Sequence, residues 1–334
     1  MVELLLLVLS VFAASVPMAT LLLVIWWLDR YEREPLGWVA LIYALGATVS
    51  VGVAMVGSIA LDLPIQLSAG AEAAKIAGPV LIAPLIEEPS KAMVLALLLL
   101  PGSRHLDGPT DGFVYGAAAG FGFATTENLL YFGSSAMDGD VAQWATLVVL
   151  RTLWSGVMHA VATSVVGAGL GWARFRAPSV GVPTLVMCLA AAMALHVFWN
   201  GMVTFDSIVG ADGGLAGLGL IALPIAFATT FFAFQITILL EAQSLRRELL
   251  DEVQRGALDQ TFALFAASWT RRAFGRPPPG LQNPSLAVRD AVRLALRKHQ
   301  LRLRDGRGDV AELLGEIGEL RASLRRTRGD LELS

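Results

Sequence analysis

This sequence is poor in charge. Of its 334 residues only 16% are Asp, Glu, Lys or Arg, 55% are hydrophobic, and the mean hydropathy is +0.62. A soluble domain carries about 25% charged residues, so the shortage speaks against a soluble globular protein, and no nucleic-acid partner is expected. Cysteine is almost missing as well. Cys188 stands alone, which excludes an intrachain disulfide and makes it a core thiol by default. The N-terminus lacks a basic segment: Glu3 is the only charge before Asp29, and the apolar run between them is too long for the core of a signal peptide. No HExxH occurs, so any zinc site must be assembled across separate helices.

What the chain does have is long apolar runs. A helix needs roughly 20 apolar residues to cross the hydrocarbon core. Seven such stretches are found, near 2–28, 37–60, 76–100, 112–133, 146–172, 183–205 and 216–242. Residues 1–243 hold 8 Lys/Arg and 16 Asp/Glu, whereas 244–334 hold 17 and 12. The expected organisation is therefore an all-α polytopic membrane protein, with a bundle of about seven transmembrane helices (1–243) and a C-terminal cytoplasmic, Arg-rich helical tail (244–334). Lys and Arg in short loops set orientation. The loops carrying Arg30 and Arg33, Arg104, and Arg174 and Arg176 fall on the side of the Arg-rich tail, and the alternate loops carry only Lys75 or nothing. This predicts an N-terminus outside and a C-terminus inside a bacterial cytoplasmic (inner) membrane.

Packing signals follow. Gly112, Gly116 and Gly120 recur every fourth residue in the fourth stretch, as do Thr163, Gly167 and Gly171 in the fifth. Small residues at this spacing let helices approach closely in lipid, so tight packing of the two stretches is expected, ahead of a dimer seam. In the tail, Val310, Leu313, Ile317, Leu320 and Leu324 form a helical stripe, and GRPPPGLQNPS (275–285) breaks the tail in two. A small helical hairpin is expected. Its arginines read first as a solvated face and second as a contact for anionic lipid.

Ionisable groups inside membrane spans cost ~2.5–3.5 kcal/mol each on insertion scales and are usually functional. Away from span ends, the chain places Glu87, Glu88 and Lys91 in the third stretch, Glu127 in the fourth, His159 in the fifth and His196 in the sixth. At 1.5 Å per residue they lie at depths of roughly 16 Å (Glu87), 9 Å (Glu127), 20 Å (His159) and 14 Å (His196). Four helices are thus expected to bring costly side chains into one band. Glu87 and Lys91 are i,i+4, a spacing that pairs them and leaves Glu88 as the reactive acid. Pro84 and Pro89 should kink the third stretch. Asn200 shares a face with His196, and Asn128 adjoins Glu127.

Three chemistries fit this set. A buried glutamate could act as general base for water attacking a peptide carbonyl, with His and Asn donors stabilising the oxyanion. His159, His196 and Glu127 could instead bind zinc, with Glu87 or Glu88 as base. The same groups could carry a cation or relay protons in a transporter. Retinal binding is disfavoured, because the seventh stretch has no lysine.

The ordered motifs DRYEREP (29–35), IEEPSK (86–91), DGFVYGAAAGFGFATTENLLY (111–131), MHAVAT (158–163) and HVFWN (196–200) resemble the PrsW family of bacterial intramembrane proteases, distant relatives of the type II CAAX prenyl endopeptidases and bacteriocin-immunity proteins. The resemblance covers roughly residues 18–205 and leaves the tail outside. It implies a helical membrane bundle and a catalytic pair at Glu87 and Glu88. Glu127, His159 and His196 would complete the site, and Asn200 would donate to the oxyanion. It also implies cleavage of a single-pass, anti-sigma-factor-like membrane protein. Glu127 stands where the CAAX relatives more often have histidine. The glutamate mechanism is favoured here over the zinc one.

Overall fold

The computed structural model describes residues 1–100, 105–210, 213–304 and 310–327. Arg104, counted above among the basic loops, lies outside them. The described residues are 88% helical, with no strand among them.

Seven long helices come first: α1 (Val2–Leu28), α2 (Leu36–Ala69), α3 (71–99), α4 (Pro109–Met137), α5 (Val141–Ala173), α6 (Pro178–Val209) and α7 (Gly214–Gln254). Four shorter ones follow: α8 (Gln260–Ala266), α9 (Trp269–Phe274), α10 (Pro284–Arg304) and α11 (Val310–Thr327). By length and composition α1, α2, α5, α6 and α7 are apolar enough to cross a membrane, which makes this a polytopic membrane protein. The two remaining expected spans are helices too, but α3 carries Glu72, Lys75, Glu87, Glu88 and Lys91, and α4 is rich in Gly, Ala and hydroxyl residues.

The chain divides into two compact units. The first comprises Met1–Leu28, Glu34–Arg174 and Ser179–Ala233. Its centre is α4, in which every residue from Thr110 to Ala124 is buried. The glycine stripe explains this. A β-carbon on Gly112 would collide with the backbone of Gly167, and one on Gly116 with the backbone of Thr163 and Ser164. The expected close approach of the fourth and fifth stretches is therefore present, helix backbone against helix backbone.

Three of the long helices contain a π-helical turn: Gly46–Ser50 in α2, Gly78–Ile82 in α3 and Arg151–Ser155 in α5. Each inserts one extra residue and shifts the register of the side chains that follow. In α3 the helix runs on through Pro84 and Pro89, so the disturbance expected at these prolines takes the form of a π turn just before Pro84.

The second unit comprises Asp29–Arg33, Phe175–Pro178 and Phe234–Ser334. Its core joins Leu245 and Leu249 of α7 to Phe262, Ala291, Leu294, Ile317 and Leu324. The stripe on α11 is the face it turns to α10, completing the expected hairpin. The arginines of this unit are largely engaged. Glu248 and Glu252 are fully buried; Arg302 pairs with Glu248 at 2.8 Å and Arg321 with Glu252 at 2.6 Å. Lys298 reaches Glu252 at 2.5 Å and Asp251 at 2.6 Å. Arg272 donates to the carbonyl of Arg30, whose guanidinium lies over Trp269, and Arg293 pairs with Glu32 at 2.7 Å. Asp29 is buried there, and that burial pushes its carboxyl up to about 7.

Candidate active site

On α3, the segment following the π turn presents Glu87, Glu88 and Lys91. Lys91 is wholly buried and donates to Glu88 Oε1 at 2.7 Å, to His159 Nδ1 at 2.9 Å and to Glu87 Oε2 at 3.5 Å. All three ammonium protons are thereby directed at acceptors, and the charge also lies 4.1 Å from the centre of the Phe123 ring. The i,i+4 spacing suggested that Lys91 belongs to Glu87, but its shorter bond is to Glu88. The reason is the neighbouring helices: His159 and His196 draw Lys91 and Glu88 to the interior face, leaving Glu87 on the more open one, with its side chain 13% exposed.

The proton position on His159 follows from its neighbours. Because Lys91 can only donate, His159 Nδ1 must accept, so Nε2 carries the hydrogen and donates to Glu127 Oε2 at 2.6 Å. His196 Nδ1 donates to Glu88 Oε1 at 2.9 Å, and its Nε2 lies 3.9 Å from Glu87 Oε2. The rings of His159 and His196 meet edge to face, with centroids 5.0 Å apart. A continuous run of polar contacts therefore links α4, α5, α3 and α6 in the order Glu127, His159, Lys91, Glu88, His196. Glu87 adjoins both Lys91 and His196. Glu88 Oε2 is buried and has no hydrogen-bond partner among the described residues.

The two asparagines face elsewhere. Asn200, one turn beyond His196, donates to the carbonyl of Pro79 at 2.8 Å. In a π turn that carbonyl would receive the amide five residues on, but residue 84 is proline and has none. Asn200 fills the gap and ties α6 to the turn that precedes Glu87. Asn128 accepts from Arg151 Nε at 3.0 Å.

Sequence reasoning missed Arg151. It lies 2.9 Å from Glu127 Oε2, and its guanidinium sits 3.7 Å from the centre of the Tyr131 ring. It stands near the start of the fifth apolar stretch, and its place beside Glu127 depends on the register shift of the π turn Arg151–Ser155. Ser50 and Ser90 were also missed. Their hydroxyls are 3.0 Å apart, and Ser90 bonds the carbonyl of Glu87, linking the π turn of α2 to the segment of α3 that carries Glu87 and Glu88.

Glu87, His159 and His196 each offer a metal donor atom, all within 4.8 Å of one another. Two imidazoles and a carboxylate suit zinc, and the Glu88 bond to His196 is the second-shell contact such a ligand needs. Bonds of ~2.0–2.2 Å place tetrahedral ligands about 3.4 Å apart, so the three donors would have to close in and Lys91 would have to yield His159 Nδ1. With that adjustment the donor set fits a divalent ion. Its carboxylate is Glu87, whereas the sequence pointed to Glu127, which here bridges Arg151 and His159.

Comparison with known proteins bears on this arrangement. A family model described as PrsW family intramembrane metalloprotease matches residues 34–237. The protein called Protease PrsW in Geobacillus kaustophilus is 30% identical over 167 residues, or 50% of this chain and 68% of that one. Its counterpart in Bacillus subtilis is 32% identical over 119 residues, 36% of this chain and 50% of its own. That of Clostridioides difficile is 29% identical over 110 residues, 33% of this chain and 44% of its own. The matches thus span between about half and two thirds of these relatives. No solved structure matches.

Proposed function

The chain belongs to the PrsW family, and on that premise we propose that it is an intramembrane endopeptidase. Its substrate is a single-pass membrane protein of anti-sigma-factor type, cut near the extracytoplasmic face of the bacterial inner membrane. The observation that carries this reading is the convergence of two carboxylates, a lysine and two histidines from three helices, braced by Glu127 from a fourth.

Glu87 is the general base. It is the carboxylate least committed to partners, and its Oε2 lies 3.9 Å from His196 Nε2. Glu87 takes a proton from water as the water oxygen bonds to the peptide carbonyl carbon. It returns that proton to the amide nitrogen as the C–N bond breaks. Glu88 fixes the orientation of His196, and the buried ammonium of Lys91 provides positive charge where the oxyanion develops. Asn200, whose amide is held by the Pro79 carbonyl, keeps α6 in register with the turn that precedes Glu87. If zinc were bound at Glu87, His159 and His196, it would supply Lewis-acid polarisation of the carbonyl; Glu87 would then be a ligand and the base would be Glu88, whose Oε2 has no hydrogen-bond partner among the described residues.

The test is cleavage of a tagged single-pass substrate by the protein reconstituted in liposomes. Glu87→Gln is expected to lose about 10²–10⁴-fold in rate, the range for a general base, and unchanged cleavage rejects the assignment. Treatment with a chelator followed by metal analysis separates the glutamate mechanism from the zinc one. Proton or cation flux that vanishes in the same variant, in a protein that cuts nothing, would replace the protease with a transporter.

A further inference from the structure

Arg151 is the charged group at the site that the proposed chemistry does not use. Its surroundings are too specific for a stray ion pair. Glu127, Asn128 and Tyr131 of α4 hold it from three directions: Glu127 Oε2 at 2.9 Å, Asn128 Oδ1 at 3.0 Å, and the Tyr131 ring at 3.7 Å. The same Glu127 oxygen accepts the Nε2 hydrogen of His159 at 2.6 Å. One carboxylate of α4 therefore bridges two residues of α5, eight positions apart.

On a regular helix, residues eight apart are turned about 80° from one another. The π turn Arg151–Ser155 lies between them and absorbs one residue. The effective spacing becomes seven, which leaves a turn of only about 20°. The irregular turn thus places Arg151 on the face that carries His159. The guanidinium bonds Asn128 Oδ1 through Nε, packs on the Tyr131 ring and sets a second nitrogen 2.9 Å from Glu127 as an ion pair, a planar arrangement that a compact ammonium reproduces only in part.

We infer that Arg151 is a positioning residue: it fixes Glu127 so that Glu127 holds the Nε2 hydrogen of His159 and keeps the Nδ1 lone pair turned inward. Calling this a contribution to catalysis rests on the proposed peptidase; the hydrogen-bond geometry does not.

The test is NMR of the imidazole protons in the full-length, chelator-treated protein labelled with ¹⁵N-histidine. The chain has only 4 histidines, and Glu127→Ala identifies the His159 signal by abolishing it. In the wild type a carboxylate-bound Nε2–H resonance is expected. Arg151→Gln should lose it to exchange with water, and Arg151→Lys should recover it in part. An unchanged resonance in Arg151→Gln overturns the inference. So does its absence from the wild type, a result that holds even if the Gln variant does not fold. Cleavage is not needed for this readout, so a failed protease assay with an intact resonance would reject the peptidase and leave the role of Arg151 standing.

Discussion

The side chain on which the site turns is Lys91. It is fully buried, and its one positive charge serves Glu88, Glu87 and His159 together. Removing one partner of a buried pair costs about 3–5 kcal/mol, because the other charge is left uncompensated. Lys91→Met should lower stability by about that amount, and Lys91→Met combined with Glu88→Gln should lose less, as measured by thermal unfolding in detergent. Equal losses would mean that Lys91 does not compensate Glu88. Asp29 gives a prediction about pH. Its carboxyl is raised from 3.8 to about 7, so the folded state retains a proton that the unfolded chain releases. Stability from this group is complete below about pH 3.8 and falls as pH rises to 7. Asp29→Asn, which cannot ionise, should therefore unfold at progressively higher temperature than the wild type across that window, with a constant difference above pH 7. A parallel pair of curves would refute it. At this scale the sequence was informative: Glu87, Glu88, Lys91, Glu127, His159 and His196 stood out because charge is expensive in apolar helices. Arg151 did not, since its value depends on a register shift that no residue pattern marks.

Helices α4 and α5 position half of the site by touching backbone to backbone. The contact was legible, because glycine every fourth residue has few other uses in a membrane span. Gly120 is the critical member. A β-carbon there would fall 2.5 Å from the His159 carbonyl oxygen and 2.7 Å from the Ala160 Cα. Neither can yield without moving α5. Gly120→Ala should therefore cost about 1–3 kcal/mol, as overpacking does, and should also lengthen the bond from His159 to Glu127. Unfolding measurements together with the ¹⁵N-histidine spectrum would check both effects. A variant as stable as wild type with an unmoved His159 resonance would contradict the packing described. The three π turns had no such signature. Gly46–Ser50, Gly78–Ile82 and Arg151–Ser155 each support the site, through Ser50, the freed Pro79 carbonyl and Arg151 respectively. They arise where tertiary hydrogen bonds outweigh helical regularity, and single-chain periodicity cannot register that.

Across the whole molecule, the sequence divided the chain by composition, whereas the contacts also assign 29–33 and 175–178 to the second unit. Arg272 and Arg30 are 242 positions apart in sequence, so no local pattern announces their bond. These two short segments are loops whose arginines motivate the proposed orientation. Arg30, Arg33, Arg174 and Arg176 follow α1 or flank the junction of α5 and α6, and the Arg-rich tail follows α7. At the opposite end of the helices, the one lysine, Lys75, is paired with Glu72 at 2.7 Å, so that side carries no unbalanced positive charge near the start of α3. Positive loops stay in the cytoplasm, which supports the proposed orientation, N-terminus outside and tail inside. The sole cysteine makes this testable. In a Cys188→Ala background, a cysteine replacing Lys75, whose side chain is 70% exposed, should react with a membrane-impermeant maleimide on intact cells. One replacing Phe274, 84% exposed on α9, should react only after the membrane is broken. The reverse pattern would invert the topology and move the proposed cleavage to the cytoplasmic side. Labelling of both sites in intact cells would mean that an even number of spans separates them, which would overturn the proposed bundle of seven.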